Sequence, residues 1–157
     1  MVVDPDGPDC ACGGRGCWET YASGDGLRRL AQAAAEDGRL EAVLSGVRGD
    51  PQSVLGEHVT EAARAGDPAA LAVMSEHSRW LAIGLANLAC VLDPELFVIG
   101  GGLVEACDLL IEPTRRAFSQ LVEGGSIRSN VEIVPAALGQ LAGAVGAALA
   151  ARSSTLA

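Results

Sequence analysis

The sequence predicts an α/β fold that is rich in helix and short of strand. Three observations predict it. Apolar residues make up 49% of the chain but aromatics only 3%, and alanine supplies much of the rest, so the core is expected to be small side chains packed between helices. Leu71, Met74, Ser78, Leu81, Leu85, Leu88 and Leu92 recur in steps of three and four, the mark of one long helix. Residues 95–99 (ELFVI) form a compact apolar run followed by Gly100-Gly101-Gly102 and new helical material, and strand, glycine turn, helix is the order of an α/β unit.

A length of 157 residues suits one domain of ordinary size. The formal net charge of −9 and the absence of a basic run argue against contact with nucleic acid, which relies on clustered Lys and Arg. Met1 leads into Val-Val-Asp-Pro rather than a basic start and an apolar segment. The longest apolar stretch, 80–92, is shorter than the roughly 20 residues a bilayer needs and is interrupted by Gly84 and Asn87. A soluble cytoplasmic protein without membrane contact is expected. Five cysteines, an odd number, do not look like a secreted disulfide framework.

Along the chain, Pro5, Gly7, Pro8, Gly13, Gly14 and Gly16 make residues 1–17 an ordered loop. A short helical turn begins near Trp18 and ends at Ser23-Gly24. Asp25 is expected to cap the next helix, whose Leu27, Leu30 and Ala34 share a face. Residues 37–53, with Gly38, Gly46, Gly49 and Pro51, read as an irregular surface excursion, and 54–65 as a helix stopped by Gly66. Asp67-Pro68 opens the long helix, because the aspartate accepts free amide hydrogens while proline sits where its missing one does no harm. Asp93-Pro94 closes it, and the spacing reads as a core helix rather than a coiled coil. A helix from about Leu103 or Asp108 to Val122 follows, with Pro113 as a kink or a fresh first turn, and Gly124-Gly125 ends it. Residues 131–134 read as a second strand, and 139–151 as a closing helix whose Ala142, Gly143, Gly146 and Ala147 permit a close neighbour. Two strands cannot cover this many apolar helix faces, so the chain reads as the back end of a larger fold.

Cys10, Cys12 and Cys17 crowd into one glycine-rich loop with the spacing C-x-C-x4-C. Soft thiolates converging from a tight loop suit zinc. The alternatives are a disulfide, which the closeness of Cys10 and Cys12 would strain, or simply reduced thiols. Three thiolates leave one tetrahedral corner open, and His58 and His77 lie far off in helical context, packed or solvated.

The stretch DPDGPDCACGGRGCWETYASG, together with GLANLACVLDPELFVIGGGLV (84–104) and IVPAALGQLAGAVGAALAA (133–151), closely resembles the ROK family of bacterial sugar kinases and sugar-responsive repressors. Within it the chain looks most like the actinobacterial glucokinases. The resemblance implies the carboxyl-terminal lobe of an actin-like (ribonuclease H-like) sugar kinase fold over 1–157, incomplete, with a zinc loop at 1–24 and about two of the lobe's strands. It implies that Cys10, Cys12 and Cys17 hold a structural zinc, whose fourth ligand in the family is a histidine about ten residues before the first cysteine, a position just ahead of Met1 here. It implies that Glu19 accepts hydrogen bonds from the hydroxyls of a hexose, namely glucose; on pattern alone Glu19 reads rather as a helix first-turn residue that favours the dipole. Gly100, Gly101 and Gly102 would lie against the adenosine part of ATP, or else form a plain strand-to-helix turn.

The function so implied is ATP-dependent phosphorylation of glucose at its 6-hydroxyl by a longer, homo-oligomeric parent that uses magnesium with its ATP. The family's phosphate-binding glycine loop and catalytic aspartate have no counterpart in this sequence, which holds no catalytic residue and is expected to be inactive alone. The alternative is a ROK sugar-responsive transcriptional repressor, with DNA contact made elsewhere.

Overall fold

The computed structural model describes residues 1–122 and 131–154. Among them the order is α1 (Trp18–Ala22), α2 (Gly24–Glu36), α3 (Glu41–Gly46), α4 (Gly56–Arg64), α5 (Pro68–Leu92), β1 (Leu96–Ile99), α6 (Cys107–Val122), β2 (Glu132–Pro135) and α7 (Ala142–Ser154), with 3-10 turns at Pro51–Ser53, Gly101–Ala106 and Gly139–Leu141. The α/β expectation holds. β1 and β2 pair in parallel, Leu96 opposite Glu132 through Ile99 opposite Pro135. A parallel pair needs a crossover, and α6 supplies it.

α5 is the spine, packing against α1, α2, α4 and α6. It starts as its sequence dictates: the Asp67 carboxylate accepts the Ala70 amide at 2.8 Å and Pro68 occupies the first turn. It stops where Asp93 turns left-handed at φ 47°, the Asp93 amide bonding back to Ala89. Its buried stripe keeps the middle of the one the leucine spacing predicts, Met74, Ser78, Leu81 and Leu85, and departs from it at the ends, where Leu71 is 42% and Leu92 66% exposed. Ala70, Val73, His77 and Ala89 are buried beside them. The small residues decide this, because helices approach closest where side chains are shortest; a Cβ on Gly84 would stand 1.9 Å from the Trp18 ring.

Two apolar clusters line this spine. Leu27, Leu40, Val43, Val54, Val59, Met74 and Leu110 fill the first. Leu81, Leu85, Ile111, Phe118 and Ile133 fill the second, with Phe97 set edge-on to Phe118 at 6.3 Å between ring centroids. On the other side of β1, Leu96 and Val98 are exposed, Val98 by 57%.

Several boundaries are corrected. Ser23, not Asp25, caps α2: the Ser23 hydroxyl accepts the Gly26 amide at 3.2 Å, and Asp25 falls inside the first turn, paired with Arg28. The 37–53 segment is no irregular excursion, because it holds α3 and the Pro51–Ser53 turn and buries Leu40 and Val43. Val54 is buried ahead of α4, which starts at Gly56; Gly66 does stop the segment at φ 88°. Pro113 sits inside α6 rather than opening a helix. Among the described residues a Cβ on Gly143 or Gly146 of α7 would meet nothing within 4 Å. Gly124-Gly125 lies outside the described residues.

Candidate functional site

The cysteine loop is built by backbone hydrogen bonds that glycine makes possible. The Cys10 amide donates to the Gly14 carbonyl at 2.8 Å, the Gly13 amide to Cys10 at 2.9 Å, and the Gly16 amide to Pro8 at 2.8 Å. Val2 opposite Cys17 and Asp9 opposite Arg15 form antiparallel bridges that close the hairpin. Gly16 must be glycine: its φ is 59°, and a Cβ there would stand 1.5 Å from the Asp4 carbonyl oxygen.

This closure brings together the three cysteines that the sequence singles out. Their sulfurs lie within 4.8 Å of one another, and Cys12 Sγ is 3.5 Å from Cys17 Sγ. That separation is far beyond a disulfide bond of about 2.05 Å. It is close to the roughly 3.8 Å edge expected of sulfurs sharing a tetrahedral ion at about 2.3 Å. The three sulfurs can therefore hold a metal ion. Without one, the thiols divide the burden of charge: the Gly14 backbone first, then Cys10 and Cys17, hold Cys12 below the usual thiol range, while Cys17, hydrogen-bonded to Cys12 and Cys10, is pushed up to about 11. A bound cation would remove the conflict by stabilising all three thiolates. His58 and His77 stand apart, as expected: His58 Nδ1 accepts the Leu55 amide at the start of α4, and His77 is buried on α5.

Glu19 follows two residues after Cys17, exposed in the first turn of α1. Its helix is one short turn, and its two neighbours in the hairpin-to-helix corner are anchored. Trp18 Nε1 donates to the Trp80 carbonyl at 2.9 Å, and the Tyr21 ring stacks on Trp80 at 4.0 Å between centroids.

The glycine turn leaves β1 at Gly100 and turns left-handed at Gly101, φ 81°. Of the three glycines, Gly102 lines an open cleft of about 510 Å³ walled by α2, α4 and the Gly101–Ala106 turn. Leu27, Leu55 and Ala106 give it an apolar floor, while Arg28, Glu57, Glu61 and Arg64 line the polar part. Arg64 grips Asp108 with two bonds of 2.9 Å and also donates to the Glu105 carbonyl. The pairing holds the Asp108 carboxyl below its ordinary range and raises Arg64. Sequence reasoning missed the ion pair that Arg64 of the cleft makes with Asp108, because the two lie 44 positions apart and neither stands in a motif. Gly24, five residues past Glu19, reaches the same cleft, so the two regions are joined through α1.

Comparison with known proteins agrees with this arrangement. The ROK family profile matches residues 1–154. A glucokinase of Streptomyces coelicolor is 43% identical over 150 residues, covering 94% of this chain and 47% of that protein. A ROK family glucokinase of Streptomyces griseus, solved in complex with glucose and AMPPNP, is 41% identical with a TM-score of 0.89, covering 98% of this chain and 50% of that one. The xylose repressor of Bacillus subtilis is a more distant relative, 26% identical over 146 residues. The chain spans about half the length of the glucokinases it matches. Among the described residues no helix is long and apolar enough to cross a membrane. A family profile matched over nearly the whole chain, and a fold and sequence shared with the Streptomyces glucokinases, lead to one conclusion: the chain belongs to the ROK family.

Proposed function

We propose that the chain is the carboxyl-terminal lobe of an ATP-dependent glucokinase and supplies one wall of the sugar site and one of the nucleotide site. The observation that carries this is the likeness, at 41% identity over nearly the whole chain, to a glucokinase solved with glucose and AMPPNP. In this reading Cys10, Cys12 and Cys17 hold a structural zinc, and the exposed Glu19 beside them accepts hydrogen bonds from two sugar hydroxyls at once. Gly100, Gly101 and Gly102 carry the adenosine part of ATP, which enters the cleft that Gly102 lines. Magnesium arrives with the ATP, and the protein acts as a homo-oligomer in the cytoplasm. Transfer of the γ-phosphoryl group to the sugar 6-hydroxyl depends on positioning and charge stabilisation, so the lobe's share of catalysis is to hold both substrates in register.

The test is glucose-dependent ADP release by a protein that joins this chain to the remaining half of a ROK glucokinase. Glucose turnover is expected, and Glu19→Gln should raise the glucose KM by about 10- to 100-fold through loss of a charged acceptor. The 157-residue chain alone should release no ADP. The likeness to a xylose repressor supports a second reading, a sugar-responsive regulator. Sugar-dependent DNA binding without ADP release would select it.

A further inference from the structure

Asp4, Tyr21 and Trp80 tie the cysteine loop to the spine helix through contacts that neither the sugar nor the nucleotide reading uses. Asp4 Oδ2 accepts the Tyr21 hydroxyl at 2.6 Å, and Oδ1 accepts the Asp6 amide at 3.1 Å. The Asp4 backbone is held as well: its carbonyl accepts the Gly7 amide at 3.1 Å, and its amide donates to Gly16 at 3.3 Å. Two glycines permit this approach, since a Cβ on Gly7 would stand 2.2 Å from the Tyr21 hydroxyl and one on Gly16 would meet the Asp4 carbonyl. At the other end Trp80 holds both residues that bracket the exposed Glu19 segment: its carbonyl accepts Trp18 Nε1, and its ring lies 20° from parallel with Tyr21. One residue of α5 thus fixes the chain on either side of Glu19, and one hydroxyl continues that fixation into the loop that carries the cysteines.

A hydroxyl-to-carboxylate bond is among the stronger kinds, and a ring stack adds geometric direction. A loop such as 1–17, with few buried apolar side chains of its own, opens readily unless both its ends are held. A metal would hold the cysteine end, and the Asp4–Tyr21–Trp80 series holds the other. We propose that Tyr21 and Trp80 are positioning residues that couple occupancy of the three-cysteine site to the placement of Glu19, so that loop closure, metal retention and orientation of the Glu19 carboxylate form a single event. The inference rests on the reading of the cysteines as a zinc site.

The chain contains its own reporter. Tyr21 is its single tyrosine, and Trp18 and Trp80 are its two tryptophans, so the tyrosine and tryptophan signals of the near-ultraviolet circular dichroism arise from this cluster. The 157-residue protein, loaded with zinc, is challenged with excess chromophoric chelator while zinc release and the near-ultraviolet signal are followed together. Wild type is compared with Tyr21→Phe, Asp4→Asn and the double variant, and far-ultraviolet helix content is measured for each. The wild-type aromatic signal is expected to fade at the rate at which zinc leaves. Each single variant should release zinc roughly tenfold faster, and the double no faster than either, because both break one coupling. Helix content should be unchanged. Equal release rates in all four proteins, additive effects, or an aromatic signal that persists after zinc has gone would overturn the coupling while leaving the metal reading intact. A wild-type protein that takes up no zinc would instead overturn the metal reading itself. The wild-type arm needs no variant to fold, and Trp80→Phe, which keeps a ring for Tyr21 to meet, should release zinc at a rate between wild type and Tyr21→Phe.

Discussion

Trp18 donates its indole proton to the backbone carbonyl of Trp80 across 62 positions of sequence, and its ring lies over Gly84 one turn further along α5. The bond sets the angle at which the cysteine hairpin enters the helical body. Gly84 is the counterpart of that ring, because the indole occupies the volume a side chain would need.

Gly84→Ala should therefore destabilise the protein by about 1 to 3 kcal/mol, the usual cost of forcing extra volume into a packed contact, even though alanine is the better helix former. Denaturant unfolding followed by tryptophan fluorescence measures it. A variant as stable as wild type would mean that the ring is free to move aside.

His77 gives the fold an acid sensitivity. It is fully buried, and burial pushes its pKa from 6.5 down to about 4, with the Tyr21 backbone opposing the shift. The native state then binds fewer protons than the unfolded chain between these values. Stability from this group is complete above pH 6.5 and falls as pH drops toward 4. The loss is up to about 3 kcal/mol for a shift of this size. Unfolding free energies measured at pH 4.5 and 7 should differ by less in His77→Leu than in wild type.

Among the described residues the Thr114 hydroxyl is buried without a hydrogen-bond partner. Thr114→Val keeps the shape and removes the unpaired group, so it should be neutral or stabilising by about 1 kcal/mol. A clear destabilisation in thermal unfolding would show that the hydroxyl does find a partner in solution.

Arg64→Lys keeps the charge but loses the planar fork that spans Asp108 and Glu105. The Gly101–Ala106 turn would loosen beside the cleft. Binding of AMPPNP to the joined two-half protein should weaken by up to roughly tenfold, an effect on affinity rather than on the chemical step. Unchanged affinity would separate this ion pair from the nucleotide wall.

What the sequence disclosed was local. Asp67-Pro68 caps α5 within three residues of itself, Gly66 needs only its own left-handed φ, and three cysteines within eight positions cannot be far apart in space. What it hid depends on partners elsewhere. α3 looks like a loop by composition and folds because Leu40 and Val43 are covered by other parts of the first core. Ser23 displaced Asp25 as the cap because α2 starts two residues earlier than a cap at Asp25 would allow. The buried stripe on α5 keeps Leu81 and Leu85 as the spacing suggests, but it widens along small residues and a distant tryptophan and leaves Leu71 and Leu92 outside. The cleft and the Asp4–Tyr21 bond each join segments that no single window of sequence contains.

The bare rungs of β1 carry a calorimetric consequence. Leu96 and Val98 already meet water in the folded chain, as do Leu141 and Leu149 beyond the sheet, so melting exposes little new hydrocarbon there. The heat-capacity increment on unfolding should fall below the roughly 12 cal/mol/K per residue of ordinary domains. The stability curve of this lobe should accordingly be shallow, varying less with temperature than its helix content would suggest.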